Sequence, residues 1–487
     1  MYTFIIHDTS VGDTVFKIDQ KLPQHLYVGR GVVLAVSGIC FNPNKIVRSI
    51  SIVIGTSIFP VQQINICQIP EIPQSQQQLS YPRVYNKGFY GHLHISGKFD
   101  EGRYTIKANI LFSDGDSQIF TMGDIAVYKN PLHPVSIETS KHDDLVVICM
   151  ASFNPRIDFL TRQIESIKQQ THGNWICIIS DDASDDVVYK QIASICSQDY
   201  RFHLFRNHNR LGFYRNFERC LSMVPQEAKF VAMSDQDDYW YSDKLSLCLD
   251  AIDQTHALVY SDMRIIDDKG VVISDTFWKH RKRNDRDLDV MLISNSITGA
   301  SALFRRDMLE YLLPFPSAPG RCFHDHWLSC VALNFGEIKY LDIPLYDYIQ
   351  HSSNVIGHRQ SSRYRIYPDT GFFTKVSGIF NRIFVTMDQV ARCRHMYSYI
   401  YKTGFCMVSI FNETLQLRFQ KSRHKGHAFI SLLSSGWQLI PRLIRLHFKV
   451  LIQNDTTNGA EVLIAVSYLH HKMKCAGKKL RGIWSAG

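Results

Sequence analysis

The sequence predicts an α/β fold: a mostly parallel sheet over residues 144–358, preceded by an all-β sandwich at 1–135 and followed by a basic helical region at 359–487. Three observations carry this expectation. From Leu145 onward, short continuously apolar runs alternate with segments of helical period, the mark of parallel strands covered on both faces. Before Asn130, short strand-like runs are separated by Gly, Pro, Asn and Asp, as in antiparallel sandwiches. Residues 361–487 hold 19 Lys and Arg against 5 Asp and Glu, so the net charge of +9 belongs to the C-terminal quarter.

In the N-terminal part, Val32–Val36, Ser49–Ile54 and Tyr104–Ile110 read as strands of a small immunoglobulin-like sandwich. It carries no catalytic cluster and reads as a packing or spacing module. Asn130–Pro134 is the expected linker. The α/β region then runs strand Leu145–Met150, helix Asp158–Gln169, strand Trp175–Ser180, a helix after Ser184, strand Phe202–Phe205, a helix from Gly212 and strand Phe230–Met233. Each strand ends in polar residues: Ser152 and Asn154, Asp181 and Asp182, Asn207 and Asn209, Asp235 and Asp237. Ligands of such sheets bind beyond the C-terminal strand ends. In the basic region, residues 429–452 interleave Trp437, Leu443 and Phe448 with Arg442, Arg445 and Lys449. That pattern suits a helix lying on an anionic membrane surface, or one packed on the catalytic region. No nucleic-acid module accompanies the charge, so nucleic acid is not an expected partner.

The 487 residues are 45% hydrophobic and 20% charged, which excludes disorder as a description of the whole and implies two to four domains. The twelve cysteines are scattered with no CxxC pair, a pattern of reducing compartments. The N-terminus lacks the basic and apolar regions of a signal peptide, and no run approaches the roughly 18 apolar residues of a spanning helix. A cytoplasmic protein is expected, in peripheral contact with the inner face of the plasma membrane.

Asp235, Asp237 and Asp238 follow an apolar strand directly, and that much negative charge calls for a counter-charge. Hard cations such as Mg²⁺ or Mn²⁺ select carboxylate oxygens, and a bound cation can hold a diphosphate. Asp235 and Asp237 reach one cation if the chain bends on leaving the sheet. Asp238 reads as the cap of the next helix.

The order of Met150-Ala-Ser-Phe-Asn154, Ser180-Asp-Asp-Ala-Ser-Asp185, Asn207-His-Asn-Arg-Leu-Gly212, Asp235-Gln-Asp-Asp238, Thr298-Gly-Ala-Ser-Ala-Leu-Phe304, His324-Asp-His-Trp327 and Gln350-His-Ser-Ser-Asn354 resembles family-2 glycosyltransferases of the Rossmann-like GT-A fold, closest in flavour to the bacterial rhamnosyltransferase-like branch. The resemblance implies a metal-dependent, inverting transfer of a sugar from a UDP- or dTDP-sugar to a hydroxyl of a glycan or lipid-linked glycan. It places Ser152, Phe153, Asp182, Asn209, Arg210, Arg215 and Asp235 at the nucleotide sugar, and Asp235, Asp237 and His351 at the metal. Asp325 becomes the candidate general base, since displacement at an anomeric carbon needs a carboxylate opposite the leaving group. The same residue also reads as the cap of a helix Trp327–Phe335. Trp240, His324 and Trp327 are placed at the acceptor, the indoles offering faces to a sugar. Two departures stand out: Ser-Phe-Asn replaces the usual Thr-Tyr-Asn, leaving no phenol at 153, and Arg215 replaces a lysine. A nucleotidyltransferase is the rival enzyme class, but Ala151–Arg156 lacks its glycine-rich phosphate loop. A catalytically idle glycan-binding scaffold is the non-enzymatic rival.

Overall fold

The computed structural model describes residues 9–11, 13–18, 22–64, 88–136, 144–278, 283–317, 322–350 and 407–419. The N-terminal strands are β1 (Thr9–Val11), β2 (Thr14–Ile18), β3 (His25–Tyr27), β4 (Gly31–Phe41), β5 (Val47–Ile54), β6 (Ser57–Ile64), β7 (Gly88–Ser96), β8 (Gly102–Phe112) and β9 (Ser117–Tyr128). They form one nine-stranded sheet in the order β1-β2-β4-β7-β6-β5-β8-β9-β3. The two layers expected of a sandwich are therefore hydrogen-bonded halves of one sheet, joined through β6, which pairs with both β5 and β7. Phe16, Phe89 and Phe120 stack at 5.2 Å in the core these halves enclose.

The second sheet follows from the apolar runs. Its strands are β10 (Val146–Ser152), β11 (Trp175–Asp181), β12 (Phe202–Arg206), β13 (Phe230–Ser234), β14 (Tyr239–Trp240), β15 (His256–Asp267), β16 (Val272–Ser274), β17 (Ala302–Arg305) and β18 (Glu337–Gln350). The order is β12-β11-β10-β13-β17-β15-β18-β14, with β16 on β15. β10 to β13 are mutually parallel, while β17 lies antiparallel to both β13 and β15. The helices are α1 (Ile157–Lys168), α2 (Asp186–Cys196), α3 (Phe213–Ser222), α4 (Lys244–Ala251), α5 (Leu288–Ile293), α6 (Leu309–Leu312) and α7 (His324–Phe335). One core joins α3, α5 and α7 to one face of the sheet, and another joins α1 and α4 to the opposite face.

Because β10 lies between β11 and β13, the chain winds to opposite sides of it, and a crevice opens at its C-terminal end. The expected Asn130–Pro134 linker is extended and tied to α3's end, His133 N–H donating to Ser222 O and Val135 N–H to Met223 O. Of the C-terminal region, residues 407–418 form a helix. The basic 429–452 segment lies outside the described residues. No helix among the described residues is long and apolar enough to cross a membrane.

Candidate active site

The loops leaving β10 and β11 are locked together. Asn154 (φ 41°) and Ala183 (φ 60°) adopt left-handed backbone that non-glycine residues seldom occupy. The strain is offset by Asn154 N–H donating to Ser184 Oγ (2.8 Å) and Asp185 N–H donating to Asn154 Oδ1 (2.9 Å). Asp181, at the end of β11, accepts from Ser184 N–H and Oγ–H. Phe153 is held from the other side of the crevice, its N–H donating to Gln236 Oε1 at 2.8 Å. The Arg210 guanidinium lies 3.9 Å above the Phe153 ring. Ser152 is buried beside it with its hydroxyl unpartnered.

Asp182 does structural work. Its carboxylate accepts from Asn207 Nδ2, Leu211 N–H and Gly212 N–H at 2.7–2.9 Å, fixing the loop that carries exposed Asn209 and Arg210. Asn216, which sequence reasoning passed over, ties three strand ends together. Its amide donates to Ser180 O and, at 3.4 Å, to Ser152 O, and accepts from Ser180 Oγ and Asn207 Nδ2. Arg215 turns toward its own chain, donating to Glu218, Phe315 O and Ser317 Oγ.

The carboxylates converge on the α7 side. Asp235 and Asp237 are half-buried beyond β13. Burial, with Asp237 and Asp325 nearby, pushes Asp235 up to about 7. Asp325 stands in the first turn of α7, and burial pushes it up to about 6 against hydrogen bonds from the His326 and Gly299 N–H groups and the Asn295 side chain. Gly299 approaches so closely that a Cβ there would meet His324 Nε2 at 2.6 Å. Asp238 is fully buried and driven well above the carboxylate range by burial and by Asp235 and Asp237. The cation beside this set, Lys244, is itself buried and lowered to about 8; it donates to Ala300 O and lies over the Trp240 and Tyr346 rings. Carboxylate oxygens gathered in this way are the ligand type that a hard divalent cation selects. Asp235 and Asp237 fit such an ion. Among the described residues no three His, Cys, Asp or Glu side chains are grouped as a metal site, and the third expected ligand, His351, lies outside them.

Several expectations need correction. Asp238 caps no helix: it precedes β14, and Asp243 is the residue before α4. Asp325 is inside α7 rather than its cap, which is Phe323. Trp240 and Trp327 are 1% and 0% exposed, so neither offers a face to a sugar; Trp327 Nε1–H donates to Leu312 O. His324 packs 3.8 Å from the Phe217 ring, and burial lowers it to about 3, so it is a neutral core imidazole.

Comparison with known proteins bears on this arrangement. The model of the Glycosyl transferase family 2 matches residues 147–313. An uncharacterized glycosyltransferase of Rickettsia felis is 30% identical over 133 residues, 27% of this chain and 21% of that protein. The UDP-Glc:alpha-D-GlcNAc-diphosphoundecaprenol beta-1,3-glucosyltransferase WfgD of Escherichia coli is 27% identical over 27% of this chain and 50% of its own length. The putative glycosyltransferase EpsH of Bacillus subtilis is 27% identical over 44% of this chain and 63% of its own length. The chain spans about a fifth of the length of the Rickettsia relatives. The solved structure of S. aureus TarS 1-349 with UDP-GlcNAc aligns with a TM-score of 0.35 and 17% identity, over 69% of this chain and 92% of that one. Residues 147–313, with the strand-end carboxylates they carry, thus match the Glycosyl transferase family 2.

Proposed function

We propose that the chain transfers a sugar from a nucleoside diphosphate, of the UDP- or dTDP-sugar type, to a hydroxyl of a bacterial surface glycan or its lipid-linked precursor, with inversion at the anomeric carbon. The observation that supports this most is that Asp325 and Asp235, ninety residues apart in sequence, lie close enough for Asp325 to help raise Asp235. The relative WfgD bears a name with a UDP-glucose donor and a diphosphoundecaprenol-linked acceptor, which favours that class of substrates here. Rhamnose is one candidate sugar.

Phe153, gripped by Gln236 and covered by Arg210, forms the wall against which the pyrimidine would lie. Asp235 and Asp237, with His351, would hold Mg²⁺ or Mn²⁺. When bound, such an ion neutralises charge on the departing diphosphate. Asp325 takes the proton of the acceptor hydroxyl while that oxygen bonds to the anomeric carbon and the carbon–phosphate oxygen bond breaks. A base raised to about 6 is well matched to neutral pH. The basic 429–452 segment would bring the protein to the membrane that carries a lipid-linked acceptor.

The deciding experiment screens sugar nucleotides for thermal stabilisation and hydrolysis with Mn²⁺. A UDP- or dTDP-sugar should raise the unfolding midpoint by several degrees, and Asp237→Ala should remove the metal-dependent part of that shift. No response to any sugar nucleotide would sink the reading; an unchanged metal requirement in the variant would move the ion elsewhere.

A further inference from the structure

We infer that the helix 407–418 positions the Asp325 turn, coupling the N-terminal sheet to the base; this rests on the reading of Asp325 given above. The helix fills the space between the two sheets. On one side Ile410 packs with Val33 and Ala35 of β4. On the other, Val408, Phe411 and Leu415 join the core that contains Trp327 and Leu328 of α7. Phe411 is the contact that matters, its ring centroid 5.5 Å from His326 and 5.0 Å from Trp327, the two residues following Asp325.

Both ends of this contact are fixed by polar groups, one half-buried and one buried. Glu413 accepts from His92 Nδ1 (2.6 Å), His94 Nε2 (2.8 Å) and Ser409 Oγ (2.6 Å), anchoring the helix to β7. Tyr90 hydroxyl in turn contacts His92 Nε2. Arg418 is fully buried and donates to four main-chain carbonyls: Gly31 of the N-terminal sheet, and Tyr311, Leu312 and Pro314 beside α7. Leu312 O also receives the Trp327 indole N–H, so one carbonyl carries both the helix and α7. A buried guanidinium is costly unless its donors are met, and here they are met only if the two sheets hold this mutual placement. A helix serving only as glue would have no reason to bear on the turn that presents Asp325.

The test compares Phe411→Ala, Phe411→Leu and Glu413→Gln in the full chain, at a temperature where circular dichroism shows each folded, by kcat and by KM for the sugar nucleotide. Phe411→Ala should lower kcat at least fivefold with donor KM within twofold. Phe411→Leu should recover most of the loss, and Glu413→Gln should lower kcat two- to threefold. Folded variants with lowered thermal midpoints but unchanged kcat overturn the inference, and if Phe411→Ala does not fold, the other two decide on the same readout. Asp325→Asn is the control. Retained transfer there overturns the base reading and this one with it, whereas its loss with unchanged kcat in the helix variants overturns this inference alone.

Discussion

At the scale of single residues, two effects compete at Asp325. A carboxylate in the first turn of a helix is stabilised by the helix dipole and by nearby N–H groups. Burial outweighs both and leaves the group raised to about 6. Transfer should therefore fall as pH drops below about 6, approaching tenfold per unit, because the protonated acid cannot accept the acceptor's proton; a kcat–pH profile reads this directly. Asp325→Asn should cost roughly 10²–10⁴ in kcat while sparing donor binding, and a donor titration on the same variant separates the two. The carboxylates were legible in the sequence because each stands where an apolar strand stops or a helix starts. Trp240 and Trp327 were misread because an indole beside an acidic cluster looks the same whether it faces a sugar or the core. Asn216 and Gln236 were missed because a single amide carries no pattern; their importance lies in which backbone groups they meet across the crevice.

At the scale of elements, β10, β11 and β13 were readable because strands buried on both faces are continuously apolar. β18 was only half readable. Its Pro344–Ile349 stretch is the buried, strand-like part, whereas the partly exposed Glu337–Leu341 half is ordered by pairing with His256–Ser261 of β15. Nor does local sequence reveal that β17 enters antiparallel, since direction is set by the partners it finds. The strand tips themselves depend on α3. Replacing Asn216 with Ala removes three buried hydrogen bonds, two with Ser180 and one with the Asn207 amide, so the fold should lose roughly 2–4 kcal/mol in urea unfolding. Donor affinity should fall with it, as the loop held through Asn207 and Asp182 loosens.

At the scale of the whole molecule, the two sheets meet through charged groups whose protonation is set by the contact itself. Burial alone would raise Glu413, but hydrogen bonds from His92, His94 and Ser409 hold it down at about 2, from an ordinary 4.5. A depressed acid stabilises the fold fully above its unfolded value and loses that contribution as pH falls through the folded one. The stability difference between the native chain and Glu413→Gln should thus be constant above about pH 4.5 and vanish toward pH 2, as urea midpoints across that range would show. Tolerance to change is distributed over the chain just as unevenly. At Gly299 the limit is volume rather than backbone angle, since the His324 ring that a methyl group would strike is itself wedged against Phe217. In a saturation library selected for transfer, exposed Asn209 and Arg210 should accept several residue types while position 299 returns glycine alone. The chain's most restricted coding position would then be one that contributes no side chain at all, and lineages of this protein would be recognisable by what they never add there.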